Sequence, residues 1–247
     1  MDTRVLRVGV DSLGSSLGCT YPARFEYLGN GNVIPELLDR GVYGVAPTTG
    51  NAFSRKALEQ VLPIDEETYR ISADGYLAVA IAFQGEVLAL NERLGAYRVH
   101  GNNNWGISSG GSRFRSFIKH DLRKQALIAE KASEFDYEFP CDLMRRTNTH
   151  LRARIASLKL EPESHPVGED SIFGLIYDGV RSTWLYTDLN WQKRCIVTIW
   201  FVLVGLLPLP LAQHCIRWLF AQQERPKIVE RSLAWLRPLI NPNMTNA

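Results

Sequence analysis

The spacing of apolar positions changes several times over the first hundred residues. Val5-Leu6-Arg7-Val8-Gly9-Val10 is half alternating and half continuous in hydrophobicity, which predicts a strand. Gly29-Asn30-Gly31-Asn32 is a turn sequence, and Val33 to Leu38 follows as a short helix that Pro35 interrupts early. Ser54 to Leu62 has helical spacing and is closed by Pro63. The apolar run Tyr76 to Phe83 lies between Ser72 and Gly85, a capping serine and a stopping glycine, and predicts another helix. Glu86 to Leu90 and Leu94 to Val99 are expected as two short strands. Strands and helices mixed in this way predict an α/β layer for residues 1–105.

Beyond residue 105 the period becomes helical. Gly106 to Gly111 is a glycine/serine hinge. Phe114, Phe117, Ile118, Leu122 and Leu127 form one stripe, with Lys119, Arg123 and Lys124 off it. Leu143, Thr147, Leu151, Ile155 and Leu158 form a second, among Arg145, Arg146, Arg152 and Arg154. Two readings are open for this 106–194 region: surface helices with solvated basic faces, or a basic surface lying against anionic lipid. Glu161 to Glu169, with Pro162 and Pro166, is expected as a linker.

Residues 195–247 form a third region. From Cys195 to Ile216 the only titratable side chains besides the two cysteines is His214, and none is formally charged when His214 is neutral. A spanning helix needs about 20 apolar residues. This run barely reaches that length, and Pro208 and Pro210 break it. Lys193 and Arg194 precede it, Arg217, Arg225, Lys227 and Arg231 follow, and Trp200, Trp218 and Trp235 are candidates for an interface. With positive charge on both flanks, an in-plane or re-entrant anchor competes with a full span, and a buried helical hairpin competes with both.

Composition narrows the classes. At 45% hydrophobic and 10% aromatic, the 247 residues can bury a core and are not a disordered chain. A net charge of +2 is too even for a bulk nucleic-acid binder. Four cysteines stand far apart without a C-x-x-C pair, which argues against a zinc cage or a disulfide scaffold and fits a reducing compartment. Met1 to Val10 is too charged to serve as a signal peptide.

Three constellations carry candidate chemistry, and all fall in residues 1–105. In Thr48-Thr49-Gly50-Asn51-Ala52-Phe53-Ser54-Arg55, Gly50 permits a tight turn and Asn51 offers an amide that donates and accepts. The plain alternative is a loop entering a helix. Asp74, in Ser-Ala-Asp-Gly-Tyr, sits where a helix dipole favours the ionised carboxylate. Facing a cleft it is a proton acceptor, and otherwise it is a helix cap. Tyr97-Arg98-Val99-His100-Gly101-Asn102-Asn103-Asn104-Trp105 puts a histidine at a strand end beside a Gly/Asn loop, suited to a metal or a phosphate, or to an ordinary structural role.

The runs G-N-A-F-S-R, S-A-D-G-Y-L and Y-R-V-H-G-N-N-N-W, in this order between Val42 and Trp105, resemble the acceptor half of a family 2 glycosyltransferase of the nucleotide-sugar-dependent GT-A type, as in bacterial members that add sugars to surface glycans. The resemblance implies an inverting transfer in which Asp74 is the catalytic base. It implies that Thr49, Gly50, Asn51 and Asn103 bind substrate, that Arg98 pairs with the departing diphosphate, and that His100 is a metal ligand. Mg²⁺ or Mn²⁺ would neutralise the leaving group in the complete enzyme.

The chain departs from that pattern in its front half. It has no Asp-x-Asp motif, and Asp136-Tyr137-Glu138 falls after the acceptor motifs rather than before them. Only 46 residues precede Pro47, too few for a complete nucleotide-binding fold. Gln213 and Arg217-Trp218 miss the Gln-x-x-Arg-Trp spacing of processive members by one residue.

The expectation is therefore an α/β fold: a partial GT-A-like mixed sheet in residues 1–105, a helical region in 106–194, and a membrane-associated segment with a basic tail in 195–247. The expected function is sugar transfer from a nucleotide-sugar to a glycan or lipid-linked acceptor at the cytoplasmic face of a membrane, as a peripheral or monotopic protein. The chain is expected to be truncated and inactive without a separate donor-half polypeptide. The competing expectation is a non-catalytic, membrane-associated glycan-binding or scaffolding remnant.

Overall fold

The computed structural model describes residues 2–10, 13–21, 28–46, 48–70, 72–98 and 111–220. Among them the elements run β1 (Asp2–Val10), β2 (Ser16–Tyr21), α1 (Ile34–Arg40), a 3₁₀ turn (Thr48–Gly50), β3 (Asn51–Ala52), α2 (Arg55–Val61), α3 (Glu66–Tyr69), α4 (Ala73–Ala82) and β4 (Val87–Arg98). Then follow α5 (Gly111–Glu134), α6 (Leu143–Arg146), α7 (Asn148–Leu160), a 3₁₀ turn (Pro162–Ser164), α8 (Ile172–Leu185), α9 (Trp191–Leu206) and α10 (Leu209–Phe220). Helix predominates and strands are few. Contacts divide the chain into one unit of residues 1–106 with 120–143, and a second of residues 107–119 with 144–247.

In the first unit β1 pairs in parallel with β4 along its whole length, and antiparallel with β2 and the two-residue β3. These four strands do not establish the GT-A-like sheet expected from sequence. The two short strands expected at 86–90 and 94–99 are one element. Its pairing to β1 skips Asn91 and Glu92 between Leu90 and Arg93, and Leu94 before Gly95, so this stretch is bulged rather than an end. Pro35 does not interrupt α1. It occupies the first turn, where a backbone N–H has no helical partner to lose, and Gly41 in the left-handed conformation closes the helix.

Ser54, expected as the first residue of the helix, caps α2 instead, accepting from the Ala57 N–H at 3.2 Å. The core of this unit gathers Val33, Leu37, Tyr43, Val79, Phe83 and Val87 with Leu127, Ile128 and Ala132 from the later turns of α5. The Tyr43 hydroxyl donates to the Ala78 carbonyl at 2.5 Å, which ties α4 to the segment after α1.

In the second unit α7 departs from the expectation of a solvent-facing helix, while Lys119 and Arg145 are exposed as that expectation has them. In α7, Asn148, His150, Leu151 and all of Ala153 to Ser157 are buried. Arg154 lies inside because Asp170 takes its guanidinium through two hydrogen bonds, and Asp170 also pairs with His165 Nε2 at 2.8 Å. Residues 161–169, expected as a linker, thus supply His165 to a buried cluster with Arg154 and Asp170. Asn148 Nδ2 donates to Thr183 Oγ1 at 2.9 Å, and the Ser182 hydroxyl donates to the Arg146 carbonyl at 2.5 Å, stitching α8 to the α6–α7 segment.

The apolar run at 195–216 is split between α9 and α10 at Leu207-Pro208, and no helix among the described residues is long and apolar enough to cross a membrane. Trp200, expected at an interface, is buried, with its indole N–H donating to the Cys215 carbonyl at 2.9 Å. Trp235 lies outside the described residues.

Candidate functional site

The candidate site forms where the 48–54 loop meets the mouth of α4. Thr48 to Gly50 make one 3₁₀ turn, and the chain then extends as β3, with Asn51 and Ala52 opposite Arg4 and Thr3 of β1. Gly50 is buried in that turn, whereas Thr49 is exposed. The Asn51 amide donates to the Ala46 carbonyl at 2.9 Å, which closes the loop on itself. Its buried Oδ1 has no hydrogen-bond partner among the described residues.

Asp74 is the second residue of α4. Ser72 holds the capping position but makes no side-chain cap bond. Asp74 supplies an acceptor at this helix mouth instead: its Oδ1 accepts the Gly75 N–H at 2.9 Å, in the first turn where amide protons are unsatisfied. Its Oδ2 accepts the Thr48 hydroxyl at 2.9 Å. The carboxylate is half-buried, so it is neither sealed in apolar packing nor free in solvent.

His120 of α5 completes the neighbourhood. A Cβ placed on Gly75 would stand 3.1 Å from His120 Cε1, so the imidazole edge rests on the Gly75 backbone. Burial pushes this histidine below its ordinary range, while the nearby Asp121 and Asp74 carboxylates pull it back up.

Of the residues expected as one site, the structure joins some and sets Arg98 apart. Asp74 meets the loop of Thr49, Gly50 and Asn51 through Thr48. Arg98 closes β4 opposite Val10 of β1, while Asn51 lies opposite Arg4. Six strand positions separate those two points, roughly 20 Å at about 3.3 Å per residue. The sheet thus sets exposed Arg98 at the far end from the loop. His100 and Asn103 lie outside the described residues.

Thr48 and His120 were missed as site residues. Thr48 stood one position from the loop residues singled out, and hydroxyl spacing alone did not reveal its partner 26 residues later. Nothing in the sequence linked His120, one polar residue on a long helix, to α4.

A groove of about 250 Å³ lies elsewhere on this unit, lined by Ser54, Lys56, Gln60, Ile81, Gln84 and Glu86 among others. It sits at the C-terminal end of α4, about 10 Å along the helix from Asp74. Among the described residues, no three His, Cys, Asp or Glu side chains cluster to hold a metal ion. Both Asp74 oxygens are already engaged by Thr48 and Gly75.

Comparison with known proteins gives one partial likeness. Over 58 residues the chain is 48% identical to an uncharacterized glycosyltransferase of Nostoc sp. (strain PCC 7120). The match covers 24% of this chain and 18% of that relative's length. No family model matches, and no solved structure matches. Part of the chain is therefore similar to a glycosyltransferase.

Proposed function

We propose that residues 42–105 are the acceptor portion of a glycosyltransferase that transfers a sugar, with inversion, from a nucleotide-sugar to a glycan or lipid-linked hydroxyl. The single observation that carries the reading is the Thr48–Asp74 contact, which holds a half-buried carboxylate against the loop that supplies Asn51. The similarity to a glycosyltransferase supports the reaction class.

In this reading Asp74 takes the proton of the acceptor hydroxyl while that oxygen bonds to the anomeric carbon. The bond from that carbon to the diphosphate breaks, and the electron pair leaves with the nucleoside diphosphate. Attack from the face opposite the leaving group inverts the anomeric centre. Thr48 fixes the carboxylate rotamer, so proton transfer does not wait on a side-chain rotation. Thr49, Gly50 and Asn51 shape the acceptor side of the cleft, and Asn103 belongs to the same proposal as a substrate contact.

The described residues alone do not present a donor set that fits Mg²⁺ or Mn²⁺, so no step is routed through a divalent ion. His100 is carried forward as its proposed ligand on the resemblance alone, and Arg98 as a diphosphate contact only if the donor extends along the sheet from the loop.

The competing reading, a glycan-binding remnant, is favoured by the engagement of both Asp74 oxygens within the protein. Turnover separates the two. The chain is incubated with nucleotide-sugars and glycan or lipid-linked acceptors, with and without a nucleotide-binding half from a glycosyltransferase, and nucleoside diphosphate release is measured. Release that requires this chain is expected. Glycan binding by calorimetry with no release under either condition would establish the remnant instead.

A further inference from the structure

Each exposed position of α9 is large and apolar: Trp191, Ile196, Ile199, Leu203 and Leu206. On α8 the exposed side chains include Phe173, Tyr177 and Trp184, and no exposed position of that helix is charged. On α10 only Arg217 among the exposed positions carries a formal charge. A helix whose outer face meets water ordinarily shows charged residues there. Here the outer faces of α8 and α9 lack them, and that of α10 carries Arg217 alone.

The faces of α8 and α9 belong to one surface. Gly179 of α8 lies so close to Phe201 that an added Cβ would stand 2.4 Å from its ring, and Gly205 of α9 approaches Ile176 equally closely. The Trp184 indole N–H donates to Thr198 at 3.0 Å, next to Ile199, and joins the two exposed strips. The opposite side of α9 is already used, with Val197, Trp200, Phe201 and Val204 buried. What remains outside is a surface left over after packing is complete.

Charge says what covers it. From Trp191 to Phe220 there are three basic residues, Lys193, Arg194 and Arg217, and no carboxylate. On α8 the carboxylate of Asp178 is mostly buried and stands 3.4 Å from Arg145. A second copy docked on this face would bring the cations of α9 and α10 together with no acid of those two helices opposite them, Asp188 in the turn before α9 being the exposed carboxylate nearby. An anionic lipid surface meets the cations with phosphates and the apolar strip with acyl chains, and tryptophan and tyrosine suit the boundary between the two. Sixteen residues of α9 extend about 24 Å against a hydrocarbon core of about 30 Å, which favours lying in the plane over spanning.

We propose that the exposed face of α8 and α9 docks in the plane of an anionic phospholipid bilayer. The proposal does not depend on the sugar-transfer reading, since it involves no residue of the Asp74 site.

Flotation of the full chain with vesicles tests it, using phosphatidylcholine alone and phosphatidylcholine mixed with phosphatidylglycerol. Flotation on the mixed vesicles is expected, at least about tenfold stronger than on the neutral ones and weakened by salt. The Ile199→Glu/Leu206→Glu double variant changes two exposed positions, so its melting temperature is expected to match wild type while flotation falls at least about tenfold. Absence of wild-type flotation would overturn the proposal. So would equal flotation on neutral vesicles, or undiminished flotation of a folded double variant, which would assign binding to another segment. A wild-type dimer that the double variant dissociates, without vesicle binding, would assign the face to a second copy.

Discussion

The hydroxyl of Thr48 donates a 2.9 Å hydrogen bond to Oδ2 of Asp74, joining a 3₁₀ turn to the mouth of α4. The other carboxylate oxygen accepts the Gly75 N–H, so both are held and the plane of the group is fixed. This pair, and not any single residue, makes the loop and the helix one candidate site.

Removing the hydroxyl separates positioning from stability. A net hydrogen bond contributes about 0.5–1.5 kcal/mol, and this one is exposed, so Thr48→Val is expected to change unfolding free energy by less than about 1 kcal/mol. Sugar transfer is expected to fall roughly tenfold through a lower kcat, because the carboxylate regains rotational freedom. Urea titration and nucleoside diphosphate release measure the two effects.

Gly75 is confined by its neighbour. Glycine to alanine inside a helix ordinarily stabilises by about 0.5–1 kcal/mol. At Gly75 the new Cβ would meet His120 Cε1 at 3.1 Å, so the imidazole must shift to admit it. Gly75→Ala is expected to give no gain in the wild-type background and the full gain in a His120→Ala background. A double-mutant cycle by urea unfolding reads the difference, and additivity would remove the contact from the account.

His120 also sets a pH dependence. Burial holds its imidazole below the ordinary histidine range, with Asp121 and Asp74 opposing the shift. In the folded protein it therefore binds a proton less readily than in the unfolded chain, whose histidines titrate near about 6.5. Its contribution to stability is complete above about pH 6.5 and declines as pH falls through that value toward the folded pKa. NMR titration of the ring protons is expected to show the depressed value, and Asp74→Asn is expected to depress it further by removing one of the opposing carboxylates.

Arg154 is inside the second unit only because Asp170 is there. The two side chains are 10% and 5% exposed, and His165 shares the same carboxylate. Asp170→Ala strands a buried guanidinium, a change that costs about 3–5 kcal/mol in comparable buried pairs. A fall in melting temperature far larger than that of an exposed substitution such as Glu163→Ala is the expected outcome of thermal unfolding.

Local chemistry made several elements legible from sequence. The span of α2 was read to within a residue or so at each end because the Pro63 stop acts locally, and Asp74 was placed in a helix's first turn because helix starts are marked locally too. Long-range pairing was not legible. The bulged middle of β4 read as a gap between two strands, since only the register against β1 reveals it as continuous. The burial of α7 was hidden by its own arginine, because Arg154 reads as a solvated residue until Asp170, sixteen positions later, is known to meet it. Trp200 read as an interface residue by type, while the exposed Trp184 and Trp191 depend on which helix faces pack. In the candidate site, the Asn51 loop and Asp74 were visible as separate motifs. Their connection through Thr48, the rest of His120 on Gly75, and the separation of Arg98 from the loop are properties of the fold.

The central claim is that Asp74 removes the acceptor's proton, and transfer by Asp74→Asn tests it most directly. Asparagine preserves size but keeps one acceptor oxygen, so it can hold the Thr48 hydroxyl or the Gly75 N–H and not both, and the melting temperature is expected to fall by only a few degrees. Nucleoside diphosphate release with glycan or lipid-linked acceptor is expected to drop by about 10²–10⁴, the usual contribution of a general base. Release at the wild-type rate by the folded Asp74→Asn protein would contradict the account.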